Sequence, residues 1–260
     1  MLSLKTLKVQ PPGFGNCKNC PYFEFGPAAL CFACAHDTIV SLAQANARCG
    51  VCDLPFEANE DFCRNPICNW ADHRKFFNWN YSIAMRTGLI ERIISQYKFN
   101  NQQYWATIFA RVLTGFFEEH PKVFKQFDLI VASPTYIVPP AIDHTRRVME
   151  IAHVESRGEW PFDVGEDEKA IIKTADTPKM KRQPSWKKRD EIAQTELRNS
   201  LAIPDTRRTK GKTILVYDDI FTDGHTLNEV ARCLRLRGGA KEVCGVTLAR
   251  QPFGKRANAS

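Results

Sequence analysis

The sequence predicts an α/β fold, a mainly parallel sheet flanked by helices, preceded by a small cysteine-rich module. Three observations predict it. Ile214-Leu215-Val216-Tyr217 is a short apolar, β-branched run without alternation, as in a strand buried on both faces, and a helix-spaced apolar pattern follows it. Phe127 to Ala132 repeats the buried-strand pattern upstream. Eight of the ten cysteines fall between residues 17 and 68, in four close pairs.

With 260 residues the chain has room for one large domain, or for a medium domain and a small module, and 43% hydrophobic content suits a soluble fold. No apolar run reaches membrane-spanning length. The stretch MLSLKTLKVQPPGFGN has neither the apolar core nor the small-residue cleavage site of a signal peptide, so the expected location is cytoplasmic. The formal charge of +7 would fall to about +3 with eight thiolates holding two zinc ions, which weakens the basic balance as a pointer to nucleic acid.

In chain order the cysteines come first, as Cys17-x2-Cys20, Cys31-x2-Cys34, Cys49-x2-Cys52 and the wider Cys63-x4-Cys68. Close pairs put both sulfurs on one side of a tight turn, and two such pairs complete a tetrahedral zinc site. Eight ligands make two sites. The sequential assignment gives Cys17, Cys20, Cys31 and Cys34 to one ion and Cys49, Cys52, Cys63 and Cys68 to the other, with interleaved pairing as the alternative. A disulfide framework is disfavoured by the expected reducing compartment. His36, Asp53, Asp61 and His73 lie near enough in sequence to replace a thiolate, but four sulfurs per site leave no need for them. Sites closed in this way are structural and supply folding energy to a module too small for its own core.

Ser82 to Phe99 places apolar residues at 85, 89, 90, 93, 94 and 97 and predicts an amphipathic helix; Gln102 to Glu119 predicts a second, stopped by Pro121. The strand Phe127–Ala132 then runs into Ser133-Pro134-Thr135. Beyond Tyr217 stand two carboxylates, Asp218 and Asp219, at the strand's carboxyl end, where open α/β sheets place ligands; side by side they call for sugar hydroxyls or a magnesium ion. Thr222-Asp223-Gly224-His225-Thr226 leads into apolar positions 227, 230, 231 and 234 at helical spacing. Strand, loop and helix N-terminus make a phosphate site: the first helical amides have no intrahelical acceptor, Gly224 lets the backbone approach, and Thr222 and Thr226 offer hydroxyls. The strand-like Val243–Ala249 closes the chain's core, ending on Arg250, and Cys233 and Cys244 read as buried apolar residues.

The stretch TILVYDDIFTDGHT, Thr213 to Thr226, resembles the phosphoribosyl pyrophosphate (PRPP) signature of type I phosphoribosyltransferases. The resemblance implies that Asp218 and Asp219 hold the ribose hydroxyls, that Thr222 to Thr226 cradle the 5'-phosphate, and that Ser133, Pro134 and Thr135 bind pyrophosphate with Mg2+. Asp223 departs from the threonine many members carry, and a carboxylate there requires its side chain to point away from the anion. The order of parts, with the cysteine pairs, Leu89-Ile90, Tyr97-Lys98-Phe99, Gln194, Leu197-Arg198-Asn199 and the closing Leu248-Ala249-Arg250, is similar to the ComF family over nearly the whole chain. Where that family carries Arg-Gly-Phe-Asn this chain has Asp143-His144-Thr145-Arg146-Arg147, and Arg146 or Arg147 is the candidate to meet pyrophosphate instead.

Between Lys173 and Arg189 seven basic residues face one acid, Asp176, and Pro178, Pro184 and Trp186 argue against a regular helix. Three readings compete: a lid folded over PRPP, a strip tracking single-stranded nucleic acid with Trp186 stacking, and a solvated loop. The expected organisation is a double zinc-ribbon module over 12–75, a phosphoribosyltransferase core over 76–252 and a disordered tail over 253–260. The expected function is phosphoribosyl transfer from PRPP to a nitrogen acceptor. The alternatives are a module that binds single-stranded DNA or a DNA-processing protein, which the ComF resemblance implies through DNA uptake, and a non-catalytic PRPP sensor.

Overall fold

The structure is a computed structural model that describes residues 48–55, 62–100, 102–136, 142–165, 169–180 and 183–252. Cys17, Cys20, Cys31 and Cys34, and the expected tail, lie outside the described residues.

Among the described residues four parallel strands form the sheet: β1 (Asn80–Met85), β2 (Leu129–Ala132), β5 (Thr213–Phe221) and β6 (Glu242–Arg250), in the order β1-β6-β5-β2. A separate antiparallel pair joins β3 (Ile172–Lys173) to β4 (Leu201–Ala202). The lack of alternation in β5 follows from burial on both sides. Leu215 and Tyr217 enter one apolar cluster, Ile214 and Val216 the other.

The first cluster is roofed by α1 (Gly88–Phe99), α2 (Trp105–Glu119) and α4 (His144–Glu155), with the short α3 (Pro121–Phe124) after α2. Ile90, Ile93, Ile94 and Tyr97 of α1 meet Phe109, Leu113 and Phe117 of α2 there, and Val148 and Met149 of α4 join them. Each such side chain contributes roughly 1.5–3 kcal/mol by leaving water. On the opposite face lie Leu227, Val230, Ala231 and Leu234 of α6 (His225–Leu236), together with Cys49, Cys52, Cys63, Ile67 and Phe77. The cysteine region and the sheet therefore share one apolar cluster.

The structure corrects two expectations. Ser82 to Met85 is not the start of a helix but the end of β1, in register with Thr247 to Arg250 of β6. The helical pattern is satisfied by α1 alone, which begins at Gly88 with φ +60°, a turn that separates strand from helix. The basic segment is also not irregular throughout. From α5 (Trp186–Ile192) it is helical, with Ser185 Oγ accepting from the Lys188 amide at 3.1 Å, and it continues through a π-turn at Ala193–Leu197 to Arg198–Ser200. That serine cap and the burial of Ile192 outweigh the breaker signal of Pro184, which precedes the cap and needs no amide partner.

Candidate active site and metal centre

β5 pairs with β2 only as far as Tyr217, opposite Ala132, but with β6 as far as Phe221. Asp218 and Asp219 thus emerge where β2 has ended and the sheet opens. The Asp219 amide donates to Asp218 Oδ1 at 2.8 Å, and Lys98, in the last turn of α1, forms an ion pair with Asp219. Burial raises the Asp218 carboxyl to about 7, helped by the Asp219 charge, with Lys98 and the Ser133 hydroxyl acting against the rise. Burial acts the same way on Asp219, but the Lys98 ammonium outweighs it and the net shift is downward. Lys98 itself loses hydration, yet the two carboxylates hold its pKa above the ordinary value.

Ser133 is buried, donates its amide to the Tyr217 carbonyl at 2.7 Å and reaches Asp218 with its side chain, while Pro134 and Thr135 lead outward. The Ser133 carbonyl accepts from Thr145 Oγ1 at 3.2 Å, which ties this loop to the start of α4. His144 stands there too, its ring 4.8 Å from Tyr97 and its pKa lowered by burial and by Lys98. Arg146 is engaged elsewhere, with Glu150 at 3.1 Å and the Gly165 carbonyl at 2.7 Å; Arg147 is the more exposed of the two.

After Phe221 the chain turns through Thr222 and Asp223 to Gly224, which has φ +92° and is the N-cap of α6. Gly224 offers no side-chain cap, so the first amides of α6 are left for an outside acceptor. A Cβ at Gly224 would stand 2.6 Å from Phe221 Cζ and 3.2 Å from Ile67 Cδ1, so the position demands glycine twice over. The Asp223 carboxylate is neutralised by an ion pair with Arg189 of α5. His225 is buried between Trp186 and Trp70, with ring centroids 5.0 and 5.8 Å away, and its Nδ1 lies 3.6 Å from Asp190. Its side chain is thus turned into the protein, leaving its backbone to serve the loop. Thr222 is exposed and Thr226 half-buried.

Strand end, acid pair and uncapped helix form one continuous segment. Residues 174–258 match the family model described as phosphoribosyl transferase domain. No curated protein matches the chain. The phosphoribosyl transferase match takes in β4, β5, α6 and β6, and with the parallel sheet flanked by helices it makes this a phosphoribosyltransferase-type core, as the sequence predicts.

Behind this core lies the cysteine centre. The sulfurs of Cys49, Cys52, Cys63 and Cys68 all fall within 4.8 Å of one another, with Cys49–Cys68 at 3.7 Å and Cys52–Cys63 at 3.6 Å. Tetrahedral zinc with bonds of about 2.3 Å would set its sulfurs about 3.8 Å apart, so the four residues fit the ion. The grouping follows the sequential assignment for these four. Asp53 is no ligand: at φ +59° it turns its carboxylate to the Ser82 amide at 2.7 Å and to Arg48 at 3.1 Å.

A second observation supports the metal. Arg250 is 1% exposed and makes no direct ion pair with a carboxylate among the described residues, although its charge reaches the buried Asp53, which Arg48 already pairs. Its Nη2 instead lies 3.6 Å from Cys52 Sγ. A buried guanidinium requires a countercharge, and a tetrathiolate zinc centre carries two net negative charges.

Lys98, Arg189 and Arg250 are the site residues that sequence reasoning did not assign. Lys98 and Arg250 stand in the stretches that carry the ComF resemblance, and Arg189 ends the basic segment; opposite charge to Asp219, Asp223 and the thiolates was the available signal.

Proposed function

We propose that the protein is a ComF-like phosphoribosyltransferase that binds PRPP with Mg2+ and transfers the phosphoribosyl group to a nitrogen acceptor. One observation carries the reading: an acid pair at the open end of β5 runs directly into an uncapped helix N-terminus with glycine at its cap, inside the segment matched by the family model. Asp218 and Asp219 accept hydrogen bonds from the ribose hydroxyls, and the amides and hydroxyls of Thr222 to Thr226 hold the 5'-phosphate. The loop at Ser133, Pro134 and Thr135 takes the pyrophosphate side. The bond from C1 to pyrophosphate breaks as the nitrogen lone pair forms the new bond to C1, and the amine proton leaves to solvent or base. When bound, Mg2+ supplies positive charge to the leaving pyrophosphate. The residues fit that ion: Lys98 supplies one positive charge against two carboxylates, which leaves Asp218 without a cation of its own.

The ion pair Arg189–Asp223 and the packing of Trp186 on His225 favour the lid reading of the basic segment, since both anchor it on the phosphate loop. The same packing removes Trp186 as a free stacking platform, so the nucleic-acid reading gains no support. The test is calorimetric titration with PRPP and Mg2+ of the zinc-loaded protein and of an Asp218→Asn, Asp219→Asn variant. Binding that the double substitution abolishes is expected. A folded, zinc-loaded protein that ignores PRPP would sink the proposal.

A further inference from the structure

Three contacts join the cysteine centre to the phosphate loop. Arg250 donates from Nε to the Cys52 carbonyl at 3.0 Å, and from Nη1 to the carbonyls of Phe221 at 3.2 Å and Thr222 at 2.7 Å. Asn65, between Cys63 and Cys68, donates from Nδ2 to the Asp223 carbonyl at 3.2 Å. Ile67, in the same interval, stands over Gly224. The carbonyls of three successive residues, Phe221 at the end of β5 and Thr222 and Asp223 after it, are therefore claimed from the cysteine side. In a planar trans peptide the N–H points opposite to its carbonyl. Fixing the carbonyls of Phe221, Thr222 and Asp223 thus aims the amides of Thr222, Asp223 and Gly224 away from the cysteines, toward the side on which the proposed phosphate would bind.

We propose that Arg250 is a positioning residue that couples the four-cysteine centre to the phosphate loop, so that metal at the cysteines and a sugar phosphate at the loop bind cooperatively. The inference rests on the reading of residues 222–226 as a phosphate site. The planar guanidinium fork holds the Cys52 turn and the Thr222 carbonyl in one fixed relation, which a lysine cannot do. Its Nη2 lies against the Cys52 sulfur, so a shift of the loop changes the hydrogen bond that a metal-bound thiolate receives. Because coupling between sites is reciprocal, the effect is readable from either end.

The test loads the full chain with cadmium in place of zinc and follows cadmium NMR while ribose 5-phosphate is added, with calorimetry alongside. Ribose 5-phosphate carries the ribose and 5'-phosphate without pyrophosphate. A cadmium resonance that moves in the wild type, with the same saturation as the calorimetric binding, is expected. In Arg250→Lys that resonance should stay still and ribose 5-phosphate affinity should fall at least about five-fold. If the metal site is merely structural, ribose 5-phosphate binds at the loop without any cadmium resonance moving, and that result overturns the coupling while leaving the functional reading intact. Absence of ribose 5-phosphate binding in the wild type overturns both. If Arg250→Lys does not fold, the wild-type titration still decides.

Discussion

Lys98 closes from the last turn of α1 onto Asp219 at the end of β5, so a carboxylate proposed to hold the sugar is also half of an ion pair. The helices α2 to α5 and the strands β2, β3 and β4 separate these residues in sequence, and the fold of α1 against the parallel sheet brings them together.

This pair sets a pH dependence. Burial raises Asp218 to about 7, and a ribose hydroxyl or magnesium ion favours its ionised form. Ligand binding therefore releases a proton, and PRPP affinity should strengthen as pH rises through about 7 and level off above it. Lys98 lowers both carboxylates, so Lys98→Met should move the midpoint upward by about 1–3 units. Calorimetry over a pH series measures it; an unmoved midpoint would show that Lys98 does not tune the pair.

Arg189 neutralises Asp223 within the loop proposed to hold the 5'-phosphate. Arg189→Ala should expose the bound phosphate to a bare carboxylate and weaken PRPP binding about ten-fold, a loss of roughly 1.4 kcal/mol within the range for directly coupled charges. Adding Asp223→Thr to that variant should restore most of the affinity. Failure of the second substitution to rescue the first would assign Arg189 a contact of its own with the ligand.

The metal content is also testable. Two zinc ions per chain are expected by elemental analysis, and Cys52→Ser should lose one of them, with a lower melting temperature, because the centre packs into the cluster beneath α6. One zinc ion in the wild type would refute the eight-thiolate assignment.

Glu229 is 3% exposed and holds Arg198 through two hydrogen bonds, at 2.8 and 3.0 Å. Arg198→Ala leaves a buried charge unpaired and should cost roughly 3 kcal/mol, the lower end of the range for such pairs because Arg198 is partly open to solvent. Denaturant unfolding measures it. Glu229→Gln with Arg198→Ala should recover part of the loss.

The parts that sequence reveals are those written locally. β5, the acid pair, the loop and α6 lie in one unbroken stretch whose apolar spacing changes from strand to helix where the proposed ligand-binding residues stand. Cys49, Cys52, Cys63 and Cys68 were legible for the same reason, since ligand spacing survives without knowledge of the fold. β1 was not legible: Ser82 to Met85 is too short to show its own period, and only β6 on its flank makes it a strand. α5 hid behind Pro184 and a run of lysines and arginines, because nothing local announces that Trp186 and Ile192 will find a surface to cover. Arg250 reads as the end of a strand until its fork is seen between the Cys52 turn and the Thr222 carbonyl.

The sheet order has a consequence for synthesis. Among the described residues β1 is the first strand to be made, yet its partner in the sheet is β6, the last of them, and β6 stands between β1 and β5. A growing chain therefore carries an unmatched strand edge from the synthesis of β1 until that of β6, and the cysteine turn waits as long for the guanidinium that closes over it. Chaperone demand during synthesis should end only when Arg250 has emerged.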